Sequence, residues 1–259
     1  MRFEHLCTPA RVATWVADRV TERVEQGARV LGVATGTSPL PVYEVLIERH
    51  QAGEASLSNC DLVLLDEYVG VPRDDPRSFH NTIMRVLAEP IGIPPERVLA
   101  PDGCAVDLGA ACRDFCAAIE STGGVDVQLL GIGRNGHIAF NEPGSSLSSR
   151  TRLKTLAKQT IDDNARFFEH RDDVPIYAIT MGVGTILEAR EILLLANGAN
   201  KADAIAAAVE GPVTSMITAS ALQMHPSTRV YVDEPAASKL KMREYYDWIK
   251  EKKPGAPRA

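Results

Sequence analysis

No stretch of this sequence approaches the ~18 consecutive apolar residues of a membrane-spanning helix, and no long run of one charge sign occurs in it. The first absence argues against a membrane protein. The second, with 28 Lys and Arg set against 34 Asp and Glu for a net charge of -6, argues against nucleic acid or an anionic membrane surface as the main partner. The opening residues, Met1 to Cys7, lack the basic start and continuous apolar core of a signal peptide, so a cytoplasmic protein is expected. No CxxC occurs among the five cysteines, Cys7, Cys60, Cys104, Cys112 and Cys116, and their number is odd. Buried reduced thiols are expected rather than metal or redox chemistry, with Cys112 and Cys116 on the inner face of a helix beside Phe115 and Ile119. Low-complexity segments and internal repeats are also missing.

What is present is an alternation of helices with short apolar strands. A chain of 259 residues that is 45% apolar has enough core for one doubly wound sheet, taken here as a single unit over 1–259. Thr8 and Pro9 start a helix in which Val12, Trp15, Val16, Val20 and Val24 recur at helical spacing, and Gln26-Gly27 ends it. Strands are expected at 30–34, 62–65, 125–130, 176–180, 192–196 and 229–232. Helices are expected at 40–50, from Ser78 to about Leu87, at 107–121 and at 201–209, and an amphipathic one at 239–250 carries Leu240, Tyr245, Trp248 and Ile249. Gly182 to Thr185 reads as a turn, and the tail from Glu251 as polar and frayed.

Three strand ends carry chemical signals. Gly131 to Arg150 follows an apolar strand with three glycines where the backbone must turn, and His137 and Glu142 stand five residues apart on it. This is a reaction floor or a tight surface turn. Thr35-Gly36-Thr37-Ser38-Pro39 joins a strand to a helix, where unpaired N–H groups, hydroxyls and the helix dipole suit a phosphate; the plainer reading is that Ser38 merely caps the helix. The loop matches neither GxGxxG nor GxxxxGK[ST], which removes support for dinucleotides and nucleoside triphosphates. Asp66-Glu67-Tyr68 ends another interior strand, as a solvated turn or as acids in a cleft. In an open parallel sheet these ends converge beyond the carboxyl edge, where an aspartate beside apolar surface can keep the basicity that proton abstraction from carbon requires. Lys201 opposes a helix dipole, as a solvated side chain or with an anion between them. The polar segment 156–173 is a candidate lid or a surface helical hairpin.

Together Thr35 to Pro39, Leu65 to Gly70, Gly131 to Pro143, Ser149 to Leu156 and Val183 to Leu187 resemble the glucosamine-6-phosphate deaminase family, in the same order over nearly the whole chain. The resemblance implies a modified Rossmann-like three-layer α/β/α sandwich with a mostly parallel central sheet. It also implies conversion of a small-molecule sugar phosphate, glucosamine 6-phosphate, to fructose 6-phosphate and ammonia, with no metal and no cofactor. Asp66 matches the family's general base, His137 the residue that opens the sugar ring, and Glu142 the carboxylate that orients it. Gly36, Thr37, Ser38, Arg166 and Lys201 match the phosphate contacts.

One position departs from some members: Asn135 stands where a second carboxylate can flank the histidine. An amide can accept a hydrogen bond from the ring but cannot neutralise an imidazolium, so Glu142 alone would supply that charge. Ser145, Ser146, Arg152 and Lys154 match an effector site for an N-acetylated sugar phosphate found at the subunit interface of hexameric relatives. The C-terminal helix that would complete it aligns poorly at Tyr245 and Tyr246, and the resemblance leaves monomer and homo-oligomer (hexamer) open. Two competitors share the fold: a 6-phosphogluconolactonase-like hydrolase, which has no need of a base aimed at C2, and a non-catalytic sugar-phosphate sensor, which should have lost Asp66 or His137.

Overall fold

The computed structural model describes residues 2–5 and 8–252; Cys7 and the tail from Lys253 onward lie outside the described residues. The strands are β1 (Arg2–His5), β2 (Val30–Val33), β3 (Asp61–Leu64), β4 (Asp66–Tyr68), β5 (Val98–Leu99), β6 (Val127–Leu130), β7 (Arg152–Thr155), β8 (Tyr177–Thr180), β9 (Glu191–Ala196) and β10 (Thr228–Val232). The α-helices are α1 (Pro9–Glu25), α2 (Leu40–Gln51), α3 (Phe79–Ile83), α4 (Leu108–Ser121), α5 (Lys158–Asn164), α6 (Val183–Ile186), α7 (Ala202–Glu210), α8 (Glu234–Ala237) and α9 (Arg243–Lys252).

Seven strands form one parallel sheet in the order β1-β10-β9-β6-β2-β3-β5. Side chains alternate across a strand, so consecutive residues feed different cores. Leu31, Val33, Leu62, Leu64, Leu129, Leu193 and Leu195 pack with α1, α2 and α3 on one face. Val30, Val63, Leu130, Ile192, Leu194 and Val232 pack with α4, α7 and α8 on the other. This double burial is why the strands read as continuous apolar runs, and it gives the three layers the sequence implies.

A second, antiparallel sheet, β4-β8-β7, stands at the carboxyl edge of the first. The strand expected at 176–180 therefore belongs to this small sheet, beside β7, whose alternating Arg152-Leu153-Lys154-Thr155 gives no apolar run to read.

Other expectations need correction. Gly182 to Thr185 is not a turn; Gly182 precedes α6, and a Cβ at Gly182 would lie 2.0 Å from the Ser149 carbonyl oxygen. The last helix starts at Arg243, and Tyr245, Trp248 and Ile249 are exposed on it. Tyr246 instead packs against Phe3. Cys60 and Cys112 are buried as expected, but Cys116 is half-buried and Cys104 exposed. Ser38 is not the cap of α2: Pro39 holds that position, and no side-chain hydrogen bond caps the helix.

Candidate active site

The carboxyl ends of β2, β3, β6 and β9 are neighbours in the sheet, and the loops that leave them surround one cleft of about 350 Å³. Its walls include Gly36, Thr37 and Ser38 after β2, Asp66 after β3, His137 after β6, and Lys201 after β9. Arg166 closes the mouth from the segment that follows α5, its guanidinium 4.7 Å from the Phe167 ring centroid. A second hollow, of about 430 Å³, beside β5 and α4 holds none of the candidate site residues.

The loop after β2 is fixed from behind. Tyr43 of α2, fully buried, donates its hydroxyl proton to the Ala34 carbonyl and accepts the Ala34 N–H, at 2.8 and 2.9 Å. This clamps the end of β2, while Thr35 is half-buried and Gly36 and Thr37 face solvent. Lys201, half-buried at the start of α7, has its ammonium driven down from the usual lysine value by burial. An anion in the cleft would relieve that cost.

The loop after β6 is a tight construction. The Gly133 N–H donates to the His137 carbonyl and the Gly136 N–H to the Gly133 carbonyl, at 2.9 and 3.0 Å. Gly136 has φ +82°, and a Cβ on Gly133 would lie 2.3 Å from the imidazole. Both glycines are therefore required for the ring to sit where it does. Ala139 takes a left-handed φ of +48°, and the bond from the Phe140 N–H to Thr180 Oγ1 (3.1 Å) holds the residue that follows it. Asn141 ties the loop to Ile138 and Met181 through its side-chain amide.

Behind the ring lies Glu142, its Oε2 3.3 Å from His137 Nδ1. Glu142 also accepts from Asn135 Nδ2 (2.9 Å), from the Ala157 N–H (3.3 Å) and from Thr160 Oγ1. Burial pushes this carboxyl up, but the interaction with His137 and the Thr160 and Asn135 donors outweigh it and hold it at about 2. Asn135 does not bond the ring as expected: its Oδ1 accepts the His137 backbone N–H at 3.2 Å while its amide is spent on Glu142. It braces the carboxylate rather than the imidazole.

Asp66 differs in kind. It is 8% exposed and, among the described residues, has no ion-pair partner. Burial, and then the charge of Glu67, push its carboxyl up to about 8. Such a group is a base strong enough to take a proton from carbon next to a carbonyl.

Several cleft residues escaped the sequence reading. Thr160, Asp163, Asn164 and Phe167 line it from the candidate lid, at i, i+3, i+4 and i+7. That helical stripe within 156–173 was the available signal. Arg134 pairs with Asp163 across the mouth, and Asn164 Nδ2 donates to the Tyr68 hydroxyl at 3.0 Å. Of the candidate effector residues, Ser145 is buried, Ser146 exposed, and Arg152 and Lys154 half-buried two apart on β7; none lines the cleft. Among the described residues no group of three His, Cys, Asp or Glu is arranged to hold a metal ion, and no helix is long and apolar enough to cross a membrane.

The sequence model of glucosamine-6-phosphate isomerases/6-phosphogluconolactonase matches residues 8–234. A glucosamine-6-phosphate deaminase of Cutibacterium acnes is 54% identical over 90% of this chain and 89% of its own. One of Corynebacterium kroppenstedtii is 51% identical over 95% of each. A solved monomeric glucosamine-6-phosphate deaminase, 42% identical, superposes with a TM-score of 0.90 over 92% of this chain and all of that one. A 6-phosphogluconolactonase of Trypanosoma brucei, at 20% identity and a TM-score of 0.71 over 92% of this chain and 98% of its own, shares the fold.

Proposed function

The chain belongs to the glucosamine-6-phosphate isomerase/6-phosphogluconolactonase family, and from that membership and the cleft we propose that it is a glucosamine-6-phosphate deaminase. The observation that carries the reading is Asp66, a buried carboxyl with no ion-pair partner among the described residues, on the same cleft as His137 and the loop after β2. In the proposed reaction the phosphate lies on Gly36, Thr37 and Ser38 with Lys201 and Arg166. His137 then protonates the ring oxygen and takes the proton from O1, opening the sugar to its aldehyde; an imidazole can give and take within one cycle near neutral pH. Glu142 orients the ring and balances its charge, with Asn135 bracing Glu142.

Asp66 removes the proton on C2, and the electron pair moves into the C1 carbonyl to give an enediol-like intermediate. Return of the proton to C1 leaves an imine at C2, which water hydrolyses to fructose 6-phosphate and ammonia. The 6-phosphogluconolactonase alternative has no step for Asp66, and the identity to lactonases of the same fold is low. The segment 156–173 acts in this reading as the lid. Thr160, Asp163 and Asn164 face the cleft from it, and Glu142 bonds it at Ala157 and Thr160.

The reading also places the chain in the cytoplasm, as a monomer. Its likeness to the monomeric deaminase supports the latter. Tyr246, which donates its hydroxyl to Glu210 at 3.2 Å, is committed to its own subunit, which argues against a completed effector site at Ser145, Ser146, Arg152 and Lys154. Hyperbolic kinetics unchanged by N-acetylglucosamine 6-phosphate, and a single 28 kDa species by light scattering, are the expected outcomes. The central test is to mix the pure protein with glucosamine 6-phosphate and measure ammonia and fructose 6-phosphate. Binding without turnover, or hydrolysis of phosphogluconolactone instead, would overturn the proposal.

A further inference from the structure

Glu67 is the second acid at the end of β3, and the reaction above gives it no task. It is 1% exposed and, among the described residues, has no ion-pair partner. Four donors converge on it: Tyr68 N–H and Phe79 N–H on Oε1 at 2.9 and 3.0 Å, Ser78 Oγ–H and His80 N–H on Oε2, both at 2.9 Å. Successive side chains of a strand point to opposite faces. Asp66 therefore faces the cleft while Glu67 reaches back to the start of α3, across a β4 only three residues long.

Resting on the deaminase reading, we propose that Glu67 is a positioning residue for that reaction, whose four-fold hydrogen-bonded carboxylate anchors β4 to α3 so that Asp66 is held against the substrate with a second carboxylate on the opposite face of the strand. Beyond its pairing with β8, β4 is held at its far end by Tyr68, buried against Phe79, Phe140 and Phe168; the Glu67 bonds to α3 add the restraint next to Asp66. A shift of about 1 Å at a proton-abstracting oxygen can cost ~100-fold in rate. Electrostatics points the same way, since after burial it is Glu67 that raises the Asp66 carboxyl. The other charged or titratable groups around Asp66 are His137 and Arg134 of the loop after β6, Asp163 and Arg166 of the lid region, Lys201 before α7 and Tyr68 of its own strand. Behind Glu67 stand His80 and Arg73.

The test compares pH profiles of kcat/KM and the rate of C2 proton exchange in deuterated water for the wild-type protein, Glu67→Gln and Glu67→Asp. Substrate ionisation is common to all three and cancels. Glu67→Gln should lower kcat and C2 exchange by ~10- to 100-fold, leave KM within about two-fold, and move the acid limb down by about half a pH unit or more. Glu67→Asp, which keeps the charge on a shorter arm, should lower kcat but leave the limb in place. A limb unmoved in Glu67→Gln, or wild-type kcat in it, would overturn the inference. If Glu67→Gln does not fold, Ser78→Ala removes one donor and spares the charge; kcat several-fold lower with an unmoved limb is then expected, and wild-type kcat overturns the inference. Failure of the wild-type protein to release ammonia would instead sink the deaminase reading itself.

Discussion

The two ends of the central sheet both bury carboxylates, and they treat them oppositely. At the amino end Glu191, the first residue of β9, is 1% exposed and lies within ion-pair distance of Arg19, Arg23 and Arg229, at 2.8, 3.1 and 2.8 Å. Asp126, just before β6, accepts the Arg29 and Val30 N–H groups and pairs with Arg190, and these partners hold it below the usual carboxylate range against burial. At the carboxyl end Asp66 and Glu67 are also buried, and among the described residues neither has an ion-pair partner. An acid surrounded by arginines is inert and ties strands together. One buried without an ion-pair partner, as Asp66 is, becomes more basic, and the fold bears its cost.

The largest break in that contrast should come from Asp66→Asn. Activity should fall ~10³-fold, with loss of C2 proton exchange. Stability should move the other way. The folded carboxyl titrates near 8 against 3.8 for the free side chain, so the ionised form is penalised on folding. That penalty is absent below about pH 4 and grows until about pH 8. The variant should therefore be more stable than the parent by a few kcal/mol at pH 8 and about equal at pH 4, by denaturant melts. Stability equal to the parent at both pH values would show that Asp66 is not strained.

Glu191→Ala should give the mirror result. Removing the acid leaves three guanidinium groups facing one another and should cost about 3 kcal/mol, while kcat per folded molecule stays within about two-fold. A drop in kcat without a drop in melting temperature would dissolve the division of labour between the two ends.

Smaller effects sharpen the picture at the cleft itself. Arg134 and Asp163 form a half-exposed pair, and such pairs add under ~1 kcal/mol, so Arg134→Ala should barely change stability. It frees an acid near Lys201, whose ammonium senses Asp163, and should raise KM about five-fold with kcat nearly unchanged; an unaltered KM would remove Arg134 from substrate binding. Least of all, Asn135→Asp replaces a donor to Glu142 by a like charge. It should lower kcat/KM about two- to three-fold at pH 7 and displace the pH–rate profile upward. Superimposable profiles would mean that Asn135 carries no electrostatic role.

The parallel sheet is legible because both faces are buried, and residues 30–33, 127–130 and 192–196 show as largely apolar runs. The antiparallel sheet was not, since β4 is acidic and β7 alternates charged and uncharged residues, its order set by pairing with β8 rather than by burial. Strands β1 and β5 were missed for related reasons: four mixed residues and two residues carry no period. The stripe Tyr245, Trp248 and Ile249 was misleading, because helical spacing marks an apolar face without saying whether anything covers it.

Within the site the residues that lie on motifs were readable: Asp66, His137, Glu142, the Thr35 loop and Lys201 all reach the cleft or its back wall. Contacts made by the fold were beyond reach. That Asn135 turns to Glu142, that Tyr43 clamps Ala34, and that Glu67 collects donors from Ser78, Phe79 and His80 depend on packing between segments that no local pattern encodes.

The ionisation of Asp66 is read directly by carbon-13 NMR of protein labelled at aspartate side-chain carboxyls. The resonance is assigned by its absence from Asp66→Asn. It should titrate near pH 8 in the free protein, and a midpoint near 4 would contradict the picture of a carboxyl made basic by burial and by Glu67.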